Sequence, residues 1–280
     1  MHELHGIQIE PIIERALEED WGYGDWTTDL CVEKGKKARA RIICKEDCVA
    51  AGLDVAAAVF RKVDPELDIQ IKVENGQFVK DRTEFLSISG RARSILKAER
   101  IALNLMGRMC GIATLTREYV SLLEGTKTQL LDTRKTTPGL RILEKSATVL
   151  GGARNHRFGL SDGALVKENH IRAAGSITAA VNRLQEGLPP TIKIEVETTN
   201  IAEVKEALAA GADIIMFDNM SVDEMREAME VVNGKAIIEA SGNVRLHNVR
   251  AIAETGVNFI STSSIITAAR WSDLSLLFDI

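Results

Sequence analysis

After Leu123 the chain repeats one pattern: a short apolar run, a loop, then a helix-like segment. TQLLD, GALVK, TIKIEVE, ADIIMFD, KAIIEASG and VNFISTSS are the apolar runs. Each has the length of a buried strand and is too short for a helix. Between and after them lie Ile177 to Leu184, NIAEVKEALAAG, SVDEMREAMEVV, VRLHNVRAIAETG and IITAARW, with helical spacing of apolar residues. Strands alternating with helices require parallel crossover units wound right-handed. Such units close into a barrel or form a doubly wound sheet, and the pattern leaves both open.

The residues where these strands end are chemically unusual. Arg134 and Lys135, Lys167, Glu197, Asp218, and Ser241-Gly242-Asn243 all fall at C-terminal strand ends. In a parallel barrel those ends share one face, where active sites are built. The segment from Leu131 to Arg172 also carries Arg141, Lys145, Arg154, His156, Arg157, His170 and Arg172, broken by Gly139, Gly151, Gly152, Gly159 and Gly163. The chain has a formal net charge of -5, so this basic density is local. A solvated basic face is the plain alternative. Because the residues are mostly Arg and His tied to short apolar runs, a pocket for a small polyanion is the better reading.

A mouth lined by Arg134, Lys135, His156, Arg157 and Lys167 suits carboxylates and phosphates through charge-assisted hydrogen bonds. Glu197 and Asp218 suit Mg²⁺, bound directly or indirectly, or a developing positive charge. The small residues SGN and STSS precede helices and suit a phosphate. No serine or cysteine shows a nucleophile motif. Lys167 at a strand end also fits a Schiff-base lysine, a rival reading that the surplus of arginines argues against.

The preceding part of the chain reads differently. Pro11 and IIERALEED form a helix with proline in its first turn. ARARIICKE, LDIQIKV and TEFLSISG are strand-like, LDVAAAVFRKV is helical, and Asn75-Gly76 marks a turn between strand candidates. A long helical pattern follows, with Gly107 and Gly111 as small packing points. These features give a small mixed α/β domain over residues 1–108. Residues 109–271 form the second domain, and 272–280 is a last strand candidate.

At 280 residues the chain can bury a sizeable core. The first twenty residues are too acidic for a signal peptide, and no apolar run spans a bilayer, so a cytoplasmic protein is expected. The acidic balance argues against general nucleic-acid binding. Cys31, Cys44, Cys48 and Cys110 lack paired CxxC spacing and are expected as reduced thiols.

DTRKTTPGLR, GGARNHRFGLSDGALVKENHI, IEVE, MFDN, EASGN and GVNFIS, with EEDWGYGDWTTD and AERIALNLMGRMCGIAT earlier, resemble the quinolinate phosphoribosyltransferase family over essentially the whole chain. The resemblance implies an N-terminal α/β sandwich-like domain, to which strand 272–280 returns, and a C-terminal open, TIM-like α/β barrel. It implies an enzyme that joins quinolinate to phosphoribosyl pyrophosphate with Mg²⁺, giving nicotinate mononucleotide, pyrophosphate and CO₂. By motif, Thr133, Arg134, Lys135, His156, Arg157 and Lys167 look like the anion-binding set, with Lys135, Lys167, Glu197 and Asp218 as the catalytic group. Glu197 and Asp218 look like the acids near ribose and metal, and Ser241, Gly242, Asn243, Ser263 and Ser264 like the 5′-phosphate cradle. Arg100 is similar to an arginine that enters a neighbouring subunit's site, which implies a homodimer or higher homo-oligomer.

The chain departs from the family pattern at Ser263 and Asn243, where glycine is common, and at Cys110, where serine is common. Neighbouring readings are a nicotinate phosphoribosyltransferase without decarboxylation, a molybdenum-transport-like relative, a Schiff-base lyase and a non-catalytic anion binder. The paired NHR and Lys167 set favours a dicarboxylate, and retained acids argue against a mere binder.

Overall fold

The computed structural model describes residues 6–279. In chain order the elements are α1 (Gly6–Trp21), α2 (Trp26–Cys31), β1 (Lys37–Cys44), β2 (Cys48–Val49), α3 (Leu53–Val63), β3 (Asp68–Ile71), β4 (Phe78–Val79), β5 (Glu84–Arg91) and α4 (Ala92–Leu122). Then come β6 (Gln129–Leu131), α5 (Arg141–Leu150), β7 (Ala164–Val166), α6 (Glu168–Ala174), α7 (Ile177–Gly187), β8 (Ile194–Thr198) and α8 (Ile201–Ala210). The chain finishes with β9 (Ile214–Asp218), α9 (Val222–Val232), β10 (Ile237–Ser241), α10 (Val249–Ala253), β11 (Phe259–Ser261), α11 (Ser264–Thr267) and β12 (Leu274–Asp279). They divide into two compact units, one of residues 1–117, 136–152 and 268–280, the other of 118–135 and 153–267.

The first unit is built on a four-stranded sheet in the order β12-β1-β5-β3. β1 runs antiparallel to both neighbours, with Arg39 opposite Asp279 on one side and Ser89 on the other. α3 buries Leu53, Val55, Ala56, Ala57, Val59 and Phe60, so its apolar face is nearly continuous. Asn75-Gly76 does form a turn, with Gly76 at φ 88°. Its flanking strands, however, pair elsewhere: β3 with β5, and β4 with β2. The Asn75 side chain explains why no hairpin forms. Its Oδ1 accepts from the Leu53 N–H at 3.2 Å and its Nδ2 donates to Asp54 at 3.0 Å, which ties the turn to the start of α3. Pro11 lies inside α1, not in its first turn. A proline there removes one backbone donor and leaves the rest of the ladder intact.

The second unit carries a six-stranded sheet in the order β6-β11-β10-β9-β8-β7, every pair parallel. β6 and β7 are its two edges, so the barrel is open. Caps in the connecting loops set where helices start. Ser176 accepts from the Ala179 N–H at 3.0 Å, and Asn200 from the Glu203 N–H at 3.0 Å. Ser221 and Glu224 cap each other's backbone at 3.3 and 2.7 Å. Each satisfies amide donors that the first helical turn leaves open. Among the described residues no helix is long and apolar enough to cross a membrane. All four cysteines are free, with Cys31 exposed and Cys44, Cys48 and Cys110 buried.

Gly107 and Gly111 of α4 are packing points. A Cβ on Gly107 would meet the Ser272 carbonyl at 3.0 Å, and one on Gly111 would lie well inside van der Waals contact of the Arg270 carbonyl. Backbone cannot retreat as a flexible side chain can. Gly111→Ala is therefore expected to cost about 1–3 kcal/mol, measured as a lowered urea-unfolding midpoint with unchanged slope.

Candidate active site

The parallel strands of the second unit deliver their last residues to one end. Ser241 of β10 is in register with Asp218 of β9, and Glu197 of β8 with Met216, two residues before Asp218. Lys167, directly after β7, reaches across to β8, with its Nζ 2.7 Å from Glu197 Oε2. Asp218 donates nothing and accepts from the Asn219 amide at 2.8 Å. Burial, then the Glu197 charge, pushes the Asp218 pKa up, while Lys167 and Lys135 pull it down. Lys135, Lys167, Glu197 and Asp218 therefore share one electrostatic neighbourhood. Thr133 Oγ1 accepts from the Lys135 N–H at 3.0 Å and shapes that loop.

Arg157 is held by a bond from its Nη1 to the Gly163 carbonyl at 2.7 Å. Burial, then the Arg134 charge, lowers its pKa. The two guanidiniums lie within electrostatic reach and repel one another, an effect that the charges of Glu195 and Asp162 oppose and a bound anion would offset further. Arginine stays charged under these conditions. The pair is consequently a standing demand for a polyanion.

The late strand ends form a compact polar turn. Gly242 sits at φ 85°, and a Cβ there would come within 2.8 Å of the Asn219 backbone nitrogen. Asn243, at φ 50°, donates from Nδ2 to Asn219 Oδ1 at 2.9 Å. Ser241 Oγ meets Ser261 Oγ at 3.1 Å. Ser264 is buried, and its hydroxyl accepts from Arg245 Nη1 at 2.6 Å. The Ser263 carbonyl accepts from the Ile266 and Thr267 N–H groups, so Ser263 caps α11 through its backbone.

Below this rim lies a cluster the strand-end reading did not single out. Strand side chains alternate faces, so Glu195 points as Glu197 does, and Glu239 as Ser241 does. Both are buried. His156 Nε2 stands 3.2 Å from Glu195 Oε2 and 3.4 Å from Glu239 Oε2. Burial alone would lower the His156 pKa, but its hydrogen bonds to the two glutamates take it up to about 10. Burial meanwhile raises the Glu195 pKa. The Arg157 N–H donates to His156 Nδ1 at 2.8 Å, which requires an unprotonated Nδ1. With Nδ1 accepting from Arg157, the ring turns Nε2 toward both glutamates.

The basic stretch from Leu131 to Arg172 does not act as one wall. Arg141 and Lys145 belong to α5 of the first unit, where Arg141 Nε donates to Thr136 at 3.0 Å and Lys145 is fully buried. Arg154 bonds Gln129 at 2.8 Å and lies over the Phe259 ring, at the starts of β6 and β11, away from the strand ends. His170 accepts from the Lys167 N–H at 3.0 Å and caps α6. Arg172 pairs with Glu168 one turn away on α6. Arg100 is an exposed residue of α4 in the first unit.

This arrangement makes the second unit a barrel enzyme for small polyanions, and the relatives narrow that class. Residues 25–110 match the N-terminal domain of quinolinate phosphoribosyl transferase and residues 112–277 its C-terminal domain. The chain belongs to the quinolinate phosphoribosyl transferase family. It is 49% identical over 274 residues to a probable carboxylating nicotinate-nucleotide pyrophosphorylase of Synechocystis sp., covering 96% of this chain and 92% of that one. It is 39% identical over 290 residues to a chloroplastic carboxylating nicotinate-nucleotide pyrophosphorylase of Arabidopsis thaliana, covering 97% and 83%. The solved nicotinate-nucleotide pyrophosphorylase of Francisella tularensis superposes with a TM-score of 0.94 at 39% identity, covering 99% of this chain and 98% of that one.

His156→Ala would leave two buried acids facing each other without the ring. Removing one partner of a buried ionic cluster costs about 3–5 kcal/mol. Because burial already raises the Glu195 pKa, the deficit should grow as pH rises past the usual glutamate range and shrink on acidification. Urea unfolding of wild type and variant across that range measures it.

Proposed function

We propose that the strand-end face of β6–β11 binds quinolinate and phosphoribosyl pyrophosphate side by side, with the roles set out below. The chain is a decarboxylating pentosyltransferase of NAD biosynthesis. It transfers the phosphoribosyl group from phosphoribosyl pyrophosphate to quinolinate, giving nicotinate mononucleotide, pyrophosphate and CO₂. The observation that carries the residue assignment is Arg157, fixed on the Gly163 carbonyl at 2.7 Å within the field of Arg134, together with Lys167 at the end of β7, because vicinal carboxylates answer that charge.

The ring nitrogen of quinolinate is already a competent nucleophile, so the residues act mainly by placing it. Arg134, Arg157 and Lys167 hold the two carboxylates and aim the nitrogen at C1 of the ribose. As the C1–O bond to pyrophosphate breaks, the ribose gains oxocarbenium character, which Glu197 and Asp218 stabilise from their strand ends. Lys135 meets the pyrophosphate charge. The bond from nitrogen to C1 makes the ring cationic. Loss of the adjacent carboxylate as CO₂ then leaves its electron pair on the carbon next to that positive nitrogen, and a proton replaces it. The turn of Ser241, Gly242 and Asn243, with Ser263 and Ser264, receives the 5′-phosphate.

The donor set also fits Mg²⁺. Glu197 Oε2 is taken by Lys167 and Asp218 Oδ2 by Asn219, which leaves Oε1 and Oδ1 without bonded partners among the described residues. Burial, then the Glu197 charge, raises the Asp218 pKa, and a divalent cation would offset both. Glu197 and Asp218 would hold the ion, which supplies charge neutralisation to the departing pyrophosphate. A cytoplasmic homodimer, in which exposed Arg100 serves the neighbouring subunit's site, completes the reading. Lys167 Nζ is committed to Glu197 Oε2 at 2.7 Å, not held in an apolar pocket, which argues against Schiff-base chemistry.

Incubation with quinolinate, phosphoribosyl pyrophosphate and Mg²⁺ should release CO₂ and pyrophosphate in equal amounts. Arg157→Ala and Lys167→Ala should each raise the KM for quinolinate by about 10- to 100-fold, the scale of a lost charged hydrogen bond, with a smaller effect on the KM for phosphoribosyl pyrophosphate. Wild-type kinetics in both variants would remove the assignment.

A further inference from the structure

The cluster under the rim lacks an obvious reason to exist. Two buried glutamates in adjacent layers of a barrel interior are costly, and an apolar pair would pack there more cheaply. Glu195 Oε1 and Glu239 Oε1 are both buried without a hydrogen-bond partner. Each acid thus commits one oxygen, Oε2, to the same atom, His156 Nε2. The His156 backbone is anchored as well. Its N–H donates to Asp132 Oδ1 at 2.9 Å, and the Asn155 amide donates to Asp132 Oδ2 at 2.5 Å. Asp132 is itself fully buried directly after β6. The ring then passes the constraint forward, because His156 Nδ1 accepts from the Arg157 N–H at 2.8 Å.

We propose that Glu195 and Glu239 are positioning residues for dicarboxylate recognition: they clamp His156 from below, and the ring fixes the backbone from which Arg157 reaches the substrate. This rests on the quinolinate reading of the site. The clamp needs two acids because one hydrogen bond leaves the imidazole free to swing about its Cβ–Cγ axis, whereas two acceptors on different strands fix its plane. The side-chain order down β8 makes the arrangement economical: Glu197 serves the reacting face and Glu195, two residues earlier, serves the support beneath it. A divalent ion is the other occupant such a trio suggests. The ring disfavours it, because with Nδ1 accepting from Arg157 the proton sits on Nε2, which then has no lone pair to offer.

The two conceivable effects of the acids have opposite signs. If they acted only through charge, Glu195→Gln or Glu239→Gln would remove negative potential beneath an anion site and tighten quinolinate. If they position His156 and Arg157, the same isosteric changes loosen it. We expect each variant to raise the KM for quinolinate about tenfold, near the loss of one charged hydrogen bond, with kcat and the KM for phosphoribosyl pyrophosphate nearly unchanged. A quinolinate KM that stays level or falls, in protein whose thermal unfolding shows it folded, overturns the proposal. So does a stoichiometric divalent ion in the purified enzyme that Glu195→Gln abolishes. If a variant fails to fold, Glu239→Asp, which draws the carboxylate back by one methylene and keeps the charge, carries the same expectation. Arg157→Ala run in parallel separates the two levels. If it shifts the quinolinate KM while the glutamate variants do not, the clamp fails alone. If it too has no effect, the site reading fails.

Discussion

Alternate side chains of a strand face the same way, and on β8 that rule stacks Glu195 beneath Glu197. The rest of the site follows from this stacking. The upper glutamate is tied to Lys167 at 2.7 Å and stands beside Asp218 at the reacting level. The lower one faces His156 at 3.2 Å, inside the barrel. β10 repeats the scheme with Ser241 above Glu239. A one-residue slip of either strand would send these acids outward and leave apolar side chains in their place. Parallel pairing through β9, with Ile237 opposite Ile214 and Ser241 opposite Asp218, holds the register.

Charge is layered in the same way. Glu195, Glu239 and His156 lie below the strand ends, and Lys167, Lys135, Glu197 and Asp218 gather at them. Positive groups held together without full neutralisation are expensive, and the expense falls when a dicarboxylate and a pyrophosphate arrive. Burial, then the Arg134 charge, lowers the Arg157 pKa, and a bound anion offsets both.

Much of the second unit was legible in sequence because each strand is a short apolar run closed by a polar or charged residue, and most helices open on a capping residue such as Ser176, Asn200 or Ser221. The convergence of Lys135, Lys167, Glu197 and Asp218 followed from strand ends alone. Contiguity in sequence misled where it was used in place of topology. Arg154 lies near the strand starts, and Arg141 and Lys145 belong to the other unit, because the chain leaves the barrel at Thr136 and re-enters at Ala153. Glu195 and Glu239 were overlooked as site residues. Their signal was present: a carboxylate in the middle of IEVE or IIEAS cannot be buried without a partner. What the sequence lacks is the identity of that partner, since His156 stands on neither strand and reaches them only through the fold. The Asn75-Gly76 turn shows the same limit, because Asn75 bonds to α3 and the flanking strands find partners elsewhere.

The central claim is spatial: a vicinal dicarboxylate lies on the strand-end face, gripped by Arg157 and Lys167 with His156 directly beneath. A crystal structure of the protein with quinolinate bound tests it most directly. The account predicts carboxylate oxygens within hydrogen-bonding distance of the Arg157 guanidinium and Lys167 Nζ, with the ring nitrogen turned toward Glu197 and Asp218. Quinolinate bound at the strand starts, or on this face without touching either cation, would contradict it.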